Sequence, residues 1–539
     1  MSSLKIKKLR AWWLAYKLDY WSLFLLMFVH FGRLQLNQYF SDGDGFYHAK
    51  MAMFLRQGLL LKTMPWMQFS TLKDNFTDHQ LIYHLLLAPF TYINTNPLIG
   101  IKVATVLFAA LMIVVLYWLL KKTNVVWPWF FAALLSTFAA LTFRLSLIKV
   151  NSLSLIVIWF LLYAIFFRKI WLTAILGSIY VWLYAGWPLA IFIVLLYALT
   201  DWFYHRYHTS RIHFAWNKII HFFRGDQKQF KMIRLSLALL LGIVLGIIFS
   251  PYWPSNLYFY YQQFFQIGVL NLGNQLPVGN EWYGVSLLRA ISYGPLLFIG
   301  AFTTFIFLSF NLKKVSLKTW FTFILTFIFL VLTIKSRRYV EYYLPFGLLF
   351  CAYGISDLVR LIDWSKLRRF YAHLHWSLKG YLSAALLVML TLVMPGLYRD
   401  VLRPTISERW TMTKFTKAIG WLQKNVPEKS IVFNNMWDDW GLFFYHNDRD
   451  YYIIGLDPTF MYNYDPALTQ KYFDITLYQD EAKYYSPDQI ASIIKNEFHS
   501  NYVVIEKSES YKKFIENMRN SSMVKQSYED SEALIFTIK

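Results

Sequence analysis

The stretch SDGDGFYHAK, residues 41–50, follows shortly after the first long apolar run of the chain. It places two carboxylates, Asp42 and Asp44, at the end of a predicted membrane span, a region where charged side chains are costly. Asp-Gly sequences favour solvated turns, so a plain turn is one interpretation. The other is a catalytic carboxylate pair, with one group for proton transfer and one for orientation or for a metal ion.

The residues that follow, GFYHAKMAMFLRQG, are predicted to form a helix at the membrane interface. Asp44 and His48 then share one face, because residues four positions apart are neighbours on a helix. The same external loop later carries KDNFTDHQLIYH, which adds Asp74, Asp78, His79 and His84. We therefore expect an external loop rich in titratable groups close to the first span.

The composition of the whole chain determines its class. Of 539 residues, 57% are hydrophobic, 20% aromatic and only 16% charged, against roughly 25% charged in a soluble domain. Repeated apolar runs of about 18–25 residues indicate a mostly α, polytopic helical membrane protein. The first run is too long for a signal peptide and has no small-residue cleavage site, so we expect a retained span. The single cysteine, Cys351, excludes an intrachain disulfide.

The apolar runs predict about 11 to 13 transmembrane helices. Eleven candidates are centred near residues 28, 108, 135, 159, 178, 195, 242, 298, 324, 349 and 388. Basic residues favour the cytoplasmic side, and an eleven-span count places these basic segments there. They are residues 5–10, 121–122, 168–169, 205–234, 313–314 and 366–379. These loops account for much of the formal net charge of +22, so we do not expect nucleic-acid binding.

The C-terminal part of the chain differs from the rest, because long apolar runs stop and charge density rises. TKAIGWLQKNV has helical amphipathicity, whereas SIVFNN, NYVVIEK and ALIFTIK are typical of short strands. We predict a multi-span catalytic domain over residues 1–404. A compact α/β domain over residues 405–539 is expected on the extracytoplasmic face.

Two further external segments carry candidate site residues. NQLPVGNEWYG contains one acid, Glu281, which is either a solvated loop residue or a functional carboxylate. KSRRYVEYYLP contains Arg337 and Arg338, which lie on the outer face against the usual charge bias. Guanidinium groups pair with phosphates in a forked geometry, so the partner is a lipid headgroup or a lipid-phosphate substrate.

A fourth segment, NNMWDDWGLFFYH, follows a predicted strand in the tail. It places two acids, Asp438 and Asp439, between two tryptophans, Trp437 and Trp440. One interpretation is that an aspartate caps the next helix. The other is a recognition surface for a substrate.

Together, DGDGFYH, VGNEWYG, SRRYVEYYLPF and AIGWLQKNVPEKSIVFNNMWDDWG resemble the catalytic subunit of oligosaccharyltransferase, and more broadly the GT-C integral-membrane glycosyltransferases. That family has an acidic motif in the first external loop, a glutamate in a long external loop and an arginine-aromatic corner before a late span. It ends in an external domain. The resemblance covers most of the chain as architecture and only short motifs in detail.

The resemblance implies an inverting glycosyltransferase that uses a polyprenyl phosphate- or diphosphate-linked sugar or oligosaccharide and a protein or glycan acceptor. Asp44 or Asp42 would activate the hydroxyl or amide of the acceptor, with Glu281 as a further catalytic carboxylate. The donor phosphate would be bound by Arg337 and Arg338.

His48, on the face of Asp44, is predicted to assist in binding the donor phosphate. The family's WWDYG motif, which reads the serine or threonine of an Asn-x-Ser/Thr acceptor, reads Trp437, Asp438, Asp439 and Trp440 before a glycine here. These four residues are predicted to bind the acceptor. Because two of the motif's positions differ, asparagine as the acceptor stays open.

A divalent cation, Mg²⁺ or Mn²⁺, could be held by Asp42 or Asp44 with Glu281, since hard cations take oxygen ligands. The position of the family's second acidic motif reads FRLSLIKVNSLSL, residues 143–155, with basic residues and no carboxylate. A metal-assisted mechanism and a metal-free mechanism therefore both stay open.

Two other functions compete with transfer of a sugar. A transporter or flippase for lipid-linked glycans would explain many spans, but it predicts polar residues at mid-membrane and internal repeats. An assembly protein whose tail binds a partner gives no role to the acids of the first loop. We expect a prokaryotic plasma membrane as the location, with the tail outside and membrane lipid around the spans.

Overall fold

The computed structural model describes residues 17–208, 227–270, 272–363, 365, 410–477 and 485–539. Several predictions fall wholly or partly outside these residues. They concern the basic segments at 5–10, 205–234 and 366–379, the span near residue 388 and the domain boundary at residue 404.

Helices dominate the first part of the chain. In order they are α1 (Leu18–Gln35), α2 (Asp44–Arg56), α3 (Leu81–Leu87), α4 (Pro97–Lys122), α5 (Pro128–Leu135), α6 (Ala139–Ser146), α7 (Asn151–Phe166), α8 (Ile170–Leu183), α9 (Pro188–His208), α10 (Gln227–Ile248), α11 (Asn256–Tyr260), α12 (Leu287–Ser292), α13 (Pro295–Ser309), α14 (Leu317–Lys335) and α15 (Val340–Leu361). The mostly α class is confirmed, and a helix or helix pair covers each predicted span centre from residue 28 to residue 349.

Only some of these helices reach the length of a membrane span. Within the described ranges, α4, α9, α14 and α15 are long and apolar enough to cross a membrane. The pair α5 and α6, bent by 72° at its break, would make a fifth. Other apolar helices, such as α7, α8 and α13, are shorter. Prolines begin α4, α5, α9 and α13, because a proline's fixed φ and missing amide hydrogen suit the first helical turn.

The tail forms a small α/β domain. Its helices are α16 (Thr416–Asn425), α17 (Trp440–His446), α18 (Pro458–Tyr464), α19 (Pro466–Leu477), α20 (Pro487–Asn496) and α21 (Lys512–Asn520). Its sheet contains β3 (Ile431–Asn434), β4 (Tyr451–Tyr452), β5 (Tyr502–Glu506), β6 (Val524–Glu529) and β7 (Ala533–Ile538), in the order β4-β3-β5-β7-β6. The helix and the three strands predicted from the sequence are confirmed.

The tail is joined by backbone pairing to the segment between α1 and α4, which was predicted to be the first outer loop. Strand β1 (Tyr39–Phe40), just before the DGDG stretch, pairs antiparallel with β2 (Trp410–Thr411) at the entry to the tail. Later in the same loop, Met67 forms a parallel bridge with Tyr452 of β4. The first outer loop and the tail domain therefore lie at the same end of the helices.

Close packing of two glycines completes this contact. A Cβ on Gly43 would lie 2.5 Å from the backbone oxygen of Asp438, and a Cβ on Gly441 would lie 2.9 Å from the backbone oxygen of Gly43. Neither glycine has a positive φ. Both are needed for space, so the glycines of DGDG and WDDWG allow the tail to touch the acidic loop.

Candidate active site

A cavity of about 1330 Å³ opens between the helices and the tail domain. Segments distant in sequence form its wall: the DGDG stretch with α2, the turn between α6 and α7, the loop carrying Glu281, the corner of Arg337 and Arg338, and the tail at Trp437 and Asp438. Each of the four sequence segments therefore contributes at least one predicted residue to the same cavity.

Lys149, in the turn between α6 and α7, lies between the two aspartates of the acidic loop. Its Nζ is 2.9 Å from Oδ2 of Asp42 and 2.7 Å from Oδ2 of Asp44. Two ionised carboxylates so close together repel each other, and an ammonium between them offsets that repulsion. The aspartates are thus part of an ion cluster and not of a simple solvated turn.

The two aspartates differ in their surroundings. The Asp42 side chain is 27% exposed, whereas that of Asp44 is 40% exposed to the cavity. Burial raises the pKa of Asp42 to about 6, and repulsion from Asp44 adds to this rise, although the Lys149 ammonium lowers the pKa. The charge of Asp42, and with it the share of the Lys149 ammonium left to Asp44, therefore changes as the pH passes through about 6.

A second ion cluster in the same cavity is centred on Arg144 of α6. Its Nε and Nη2 donate to Oε2 of Glu341, at 3.0 Å and 2.7 Å, and its Nη1 donates to Oε2 of Glu281. Arg338 approaches Glu281 from the other side, with Nη1 2.8 Å from Oε1. Burial alone would raise the pKa of Glu281, but the two guanidinium groups hold it well below its usual range. Glu281 is therefore an ionised, fully paired carboxylate.

The two arginines of the corner play different parts. Arg338 is held by Glu281, by a 2.7 Å hydrogen bond to the Tyr184 hydroxyl, and by the ring of Trp282, 4.7 Å from its guanidinium carbon. Arg337 lines the cavity with an exposed side chain. Among the described residues, no ion pair or hydrogen bond engages the Arg337 side chain, so its guanidinium can meet a phosphate at the cavity mouth.

His48 belongs to a buried chain of three side chains beside the cavity. Its Nδ1 lies 2.8 Å from Nε2 of His84, whose Nδ1 lies 2.7 Å from Oδ2 of Asp78. Burial, with His84 and Lys149 nearby, holds the pKa of His48 well below its usual range. The predicted phosphate contact of His48 would therefore be a hydrogen bond from a neutral ring and not a charge pair.

The tail segment divides into a cavity face and a structural face. Trp437 and Asp438 line the cavity. Asp439 is buried and accepts a 3.4 Å bond from Lys414, and its side chain does not cap α17. Trp440 is buried and its Nε1 donates to the backbone oxygen of residue 66. The structure thus brings only Trp437 and Asp438, of the four predicted acceptor residues, to the cavity.

The predicted cation ligands are occupied by protein cations. Asp42 and Asp44 bind Lys149, and Glu281 binds two arginines. In the part of the chain that the structure describes, no three His, Cys, Asp or Glu side chains form a group that could hold a metal ion. As arranged, these residues do not fit Mg²⁺ or Mn²⁺, and the prediction of a cation stays untested.

No role was predicted for Lys149, Arg144 or Tyr184, although each contacts a predicted site residue, nor for Glu341, which pairs with Arg144. One signal could have revealed the pairing: Arg144 lies within an apolar run, and a charged side chain there requires a partner. The acid that follows the arginine corner, Glu341, is that partner.

No protein-family model matches the sequence, and the search of curated proteins finds no match, so similarity lies in the fold. Archaeal oligosaccharyltransferase AglB from Archaeoglobus fulgidus, in complex with an inhibitory peptide and a dolichol-phosphate, superposes with a TM-score of 0.61 at 12% identity, over 92% of this chain and 70% of AglB. ArnT from Cupriavidus metallidurans, bound to undecaprenyl phosphate, gives 0.53 at 13% identity, over 97% and 98%.

The chain has the fold of the GT-C glycosyltransferases. Arabinofuranosyltransferase AftD from Mycobacteria is similar as well, with a TM-score of 0.53 at 11% identity, over 96% of this chain and 40% of AftD. In this GT-C fold, the apolar helices carry the cavity and the small C-terminal sheet domain covers it. The predicted family resemblance and fold class are confirmed.

Proposed function

We propose that this chain transfers a sugar or oligosaccharide from a polyprenyl phosphate- or diphosphate-linked donor to a protein or glycan acceptor. We place the reaction on the extracytoplasmic face of a prokaryotic plasma membrane. One observation carries the proposal: carboxylates and an exposed arginine from distant segments converge on one cavity at the end of apolar helices. The GT-C fold and the lipid phosphates bound by AglB and ArnT support this reading.

Asp44 is the group that we assign to the acceptor. Its carboxylate is the more exposed of the pair, and Lys149 fixes its position from one side. It would take the proton from the acceptor hydroxyl or amide as the new bond to the anomeric carbon forms. A carboxylate positioned for such a transfer contributes about 10²–10⁴-fold to the rate.

Arg337 is the group that we assign to the leaving phosphate. As the bond between the anomeric carbon and the phosphate oxygen breaks, its electron pair remains on the phosphate, whose charge increases. A guanidinium can offer two parallel hydrogen bonds to that phosphate. Displacement from the side opposite the phosphate would invert the anomeric configuration, and the cavity is wide enough for donor head and acceptor together.

Trp437 and Asp438 are the groups that we assign to the acceptor's recognition, since they line the cavity from the tail. Because the motif around them differs from WWDYG at two positions, we propose either a protein or a glycan as the acceptor. The aromatic ring offers a stacking face, and the carboxylate offers a hydrogen-bond acceptor for hydroxyl or amide groups.

The test is transfer of a labelled sugar by the purified protein in lipid nanodiscs. Polyprenyl phosphate-linked hexose and diphosphate-linked oligosaccharide are supplied in separate reactions, with protein and glycolipid fractions as acceptors. We expect label to move from one donor to one acceptor fraction. The double substitution Asp42→Asn with Asp44→Asn should abolish transfer, and Asp74→Asn, an exposed acid of the same loop, is the control. In a parallel assay with the protein in sealed liposomes, label that crosses the bilayer without leaving its lipid would instead indicate a flippase.

A further inference from the structure

Lys149 occupies the position at which the sequence predicted a metal ion. Its ammonium lies within 2.7–2.9 Å of one oxygen from each aspartate of the acidic loop. Bonds of this length between an ammonium and a carboxylate are charge-assisted and strong. The carboxylate oxygens that would bind a divalent cation therefore already share a positive charge.

The fold holds Lys149 in this position. The residue lies in the short turn between α6 and α7, where its backbone amide donates to the oxygen of Leu147 at 2.8 Å. Asn151, buried at the start of α7, donates a 3.1 Å side-chain bond to the backbone oxygen of Arg144. The Lys149 side chain is only 19% exposed. Lys149 therefore belongs to the wall of the cavity, and the fold determines its position.

The third predicted ligand is neutralised in the same way. Glu281 is bound by Arg144 and by Arg338, which approach its two oxygens from opposite sides. The position of the family's second acidic motif thus carries two cations, Arg144 and Lys149, and each pairs with carboxylates from other segments. The three cations Lys149, Arg144 and Arg338 already offset most of the charge of the four carboxylates with which they pair, so little negative charge is left to attract a dication.

We propose that Lys149 takes the place of the divalent cation, holding Asp42 and Asp44 ionised and in position, so that transfer by this chain needs no divalent cation. This inference rests on the proposed function for its activity tests but not for its binding test. Lys149 acts here as a positioning residue, because it contacts the carboxylates and not the substrate.

The binding test uses Mn²⁺ and the purified full chain without substrate. Electron paramagnetic resonance measures how much added Mn²⁺ stays free. We expect no saturable site in the unchanged protein and one new site in Lys149→Asp, which places a third carboxylate beside Asp42 and Asp44. Adding Asp42→Asn to that variant should remove the new site. A site of one equivalent in the unchanged protein that Asp42→Asn removes would overturn the proposal.

The activity test compares transfer with EDTA and with excess Mn²⁺. We expect the same rate in both for the unchanged protein. Lys149→Gln should lower transfer about 10- to 100-fold, the range seen when a supporting group of a site is removed. Lys149→Arg should restore part of the loss, and Lys62→Gln, an exposed lysine of the first outer loop, is the matched control. Transfer that EDTA abolishes and Mn²⁺ restores would overturn the proposal.

The pH dependence of transfer shows whether Lys149 positions the carboxylates or only stabilises the fold. Lys149 lowers the pKa of Asp42, against burial. Lys149→Gln should therefore move the acid limb of the transfer profile to higher pH, which a general loss of stability would not do. If Lys149→Asp does not fold, Mn²⁺ binding by the unchanged protein and by Asp42→Asn still decides the question. If no sugar transfer is found at all, the proposed function fails while the Mn²⁺ result stands on its own.

Discussion

Gly441 of the tail lies directly against Gly43 of the acidic loop. A Cβ at residue 441 would approach the Gly43 backbone oxygen to 2.9 Å and the backbone nitrogen of Tyr47 to 3.4 Å. The carboxylates Asp42 and Asp44 flank Gly43 on both sides. A shift of the tail at residue 441 would therefore move Gly43 and, with it, the two carboxylates.

We predict that Gly441→Ala lowers both stability and transfer. The added methyl group forces α17 away from α2, and overpacking of this kind costs about 1–3 kcal/mol. Thermal unfolding followed by tryptophan fluorescence measures the first effect, and labelled-sugar transfer the second. Gly420→Ala is the control, since a Cβ there meets nothing within 4 Å and alanine favours the helix. Equal behaviour of the two variants would contradict the close contact.

Replacement of the acids should affect the rate more than the fold. We expect Asp44→Asn to lower kcat by about 10²–10⁴-fold, because the amide cannot take a proton. Unfolding temperature should change little, since the side chain is 40% exposed. The kinetics of sugar transfer with the native donor provide the measurement. Near-normal transfer by the double variant with Asp42→Asn would place the chemistry outside this pair.

Transfer should depend on the ionisation of Asp42. Its pKa of about 6 means that the Asp42 carboxyl is protonated in acid, so the Lys149 ammonium then pairs with Asp44 alone and makes Asp44 a weaker base. The rate should then rise as pH increases through about 6 and level off above it. This rise in rate with pH should be absent in Asp42→Asn. The measurement is the transfer rate at saturating donor, from acidic to mildly basic pH.

Stability should respond to pH in the opposite sense at this residue. The folded pKa of Asp42 lies above its ordinary value of 3.8, so the folded state binds the proton more tightly. The contribution of Asp42 to stability is therefore largest in acid and is lost as pH rises through about 6. Asp42→Asn should remove this dependence in unfolding experiments run across that interval.

The two arginines of the corner should give separable effects. Arg337→Ala should raise KM for the lipid donor with little change in unfolding temperature, because its exposed side chain makes no ion pair or hydrogen bond among the described residues. Arg338→Ala should lower stability as well, because it leaves Glu281 with Arg144 alone. Arg519→Ala, in an exposed pair of the tail, is the control. An unchanged KM in Arg337→Ala would remove its phosphate role.

The sidedness of the tail can be tested directly. Tags near residues 215 and 520 should report opposite sides of the membrane, because the basic segment around 205–234 favours the cytoplasm. Labelling of both tags from one side of sealed vesicles would contradict the predicted eleven-span orientation.

Local patterns in the sequence were sufficient for most elements of the fold. Apolar runs located the helices because a span must satisfy its own backbone hydrogen bonds, whatever surrounds it. Alternation and β-branched residues located β3, β5 and β7. Strand β6 (Val524–Glu529) was not predicted, because its polar sequence has a partly exposed pattern that gives little hydrophobic alternation.

Individual site residues could be predicted from the sequence, but the ion pairs that join them could not. Asp42, Asp44, Glu281 and the arginine corner were found from their unusual positions. The bonds from Lys149 and Arg144 were not, because they join segments whose distance depends on how the helices pack. The burial of Asp439, which was predicted to cap a helix or to bind the acceptor, was missed for the same reason, since its partner Lys414 lies 25 residues earlier.

The pairing of Tyr39 with Thr411 also bears on the order in which the protein is made. The acidic loop leaves the ribosome before the described helices α4 to α15, whereas its partner strand, β2, follows them. Chains are synthesised at about 5–20 residues per second, so a nascent chain spends many seconds with an unfinished cavity. Under the proposed function, the active site would be completed last, so an incomplete chain would not consume the lipid-linked donor.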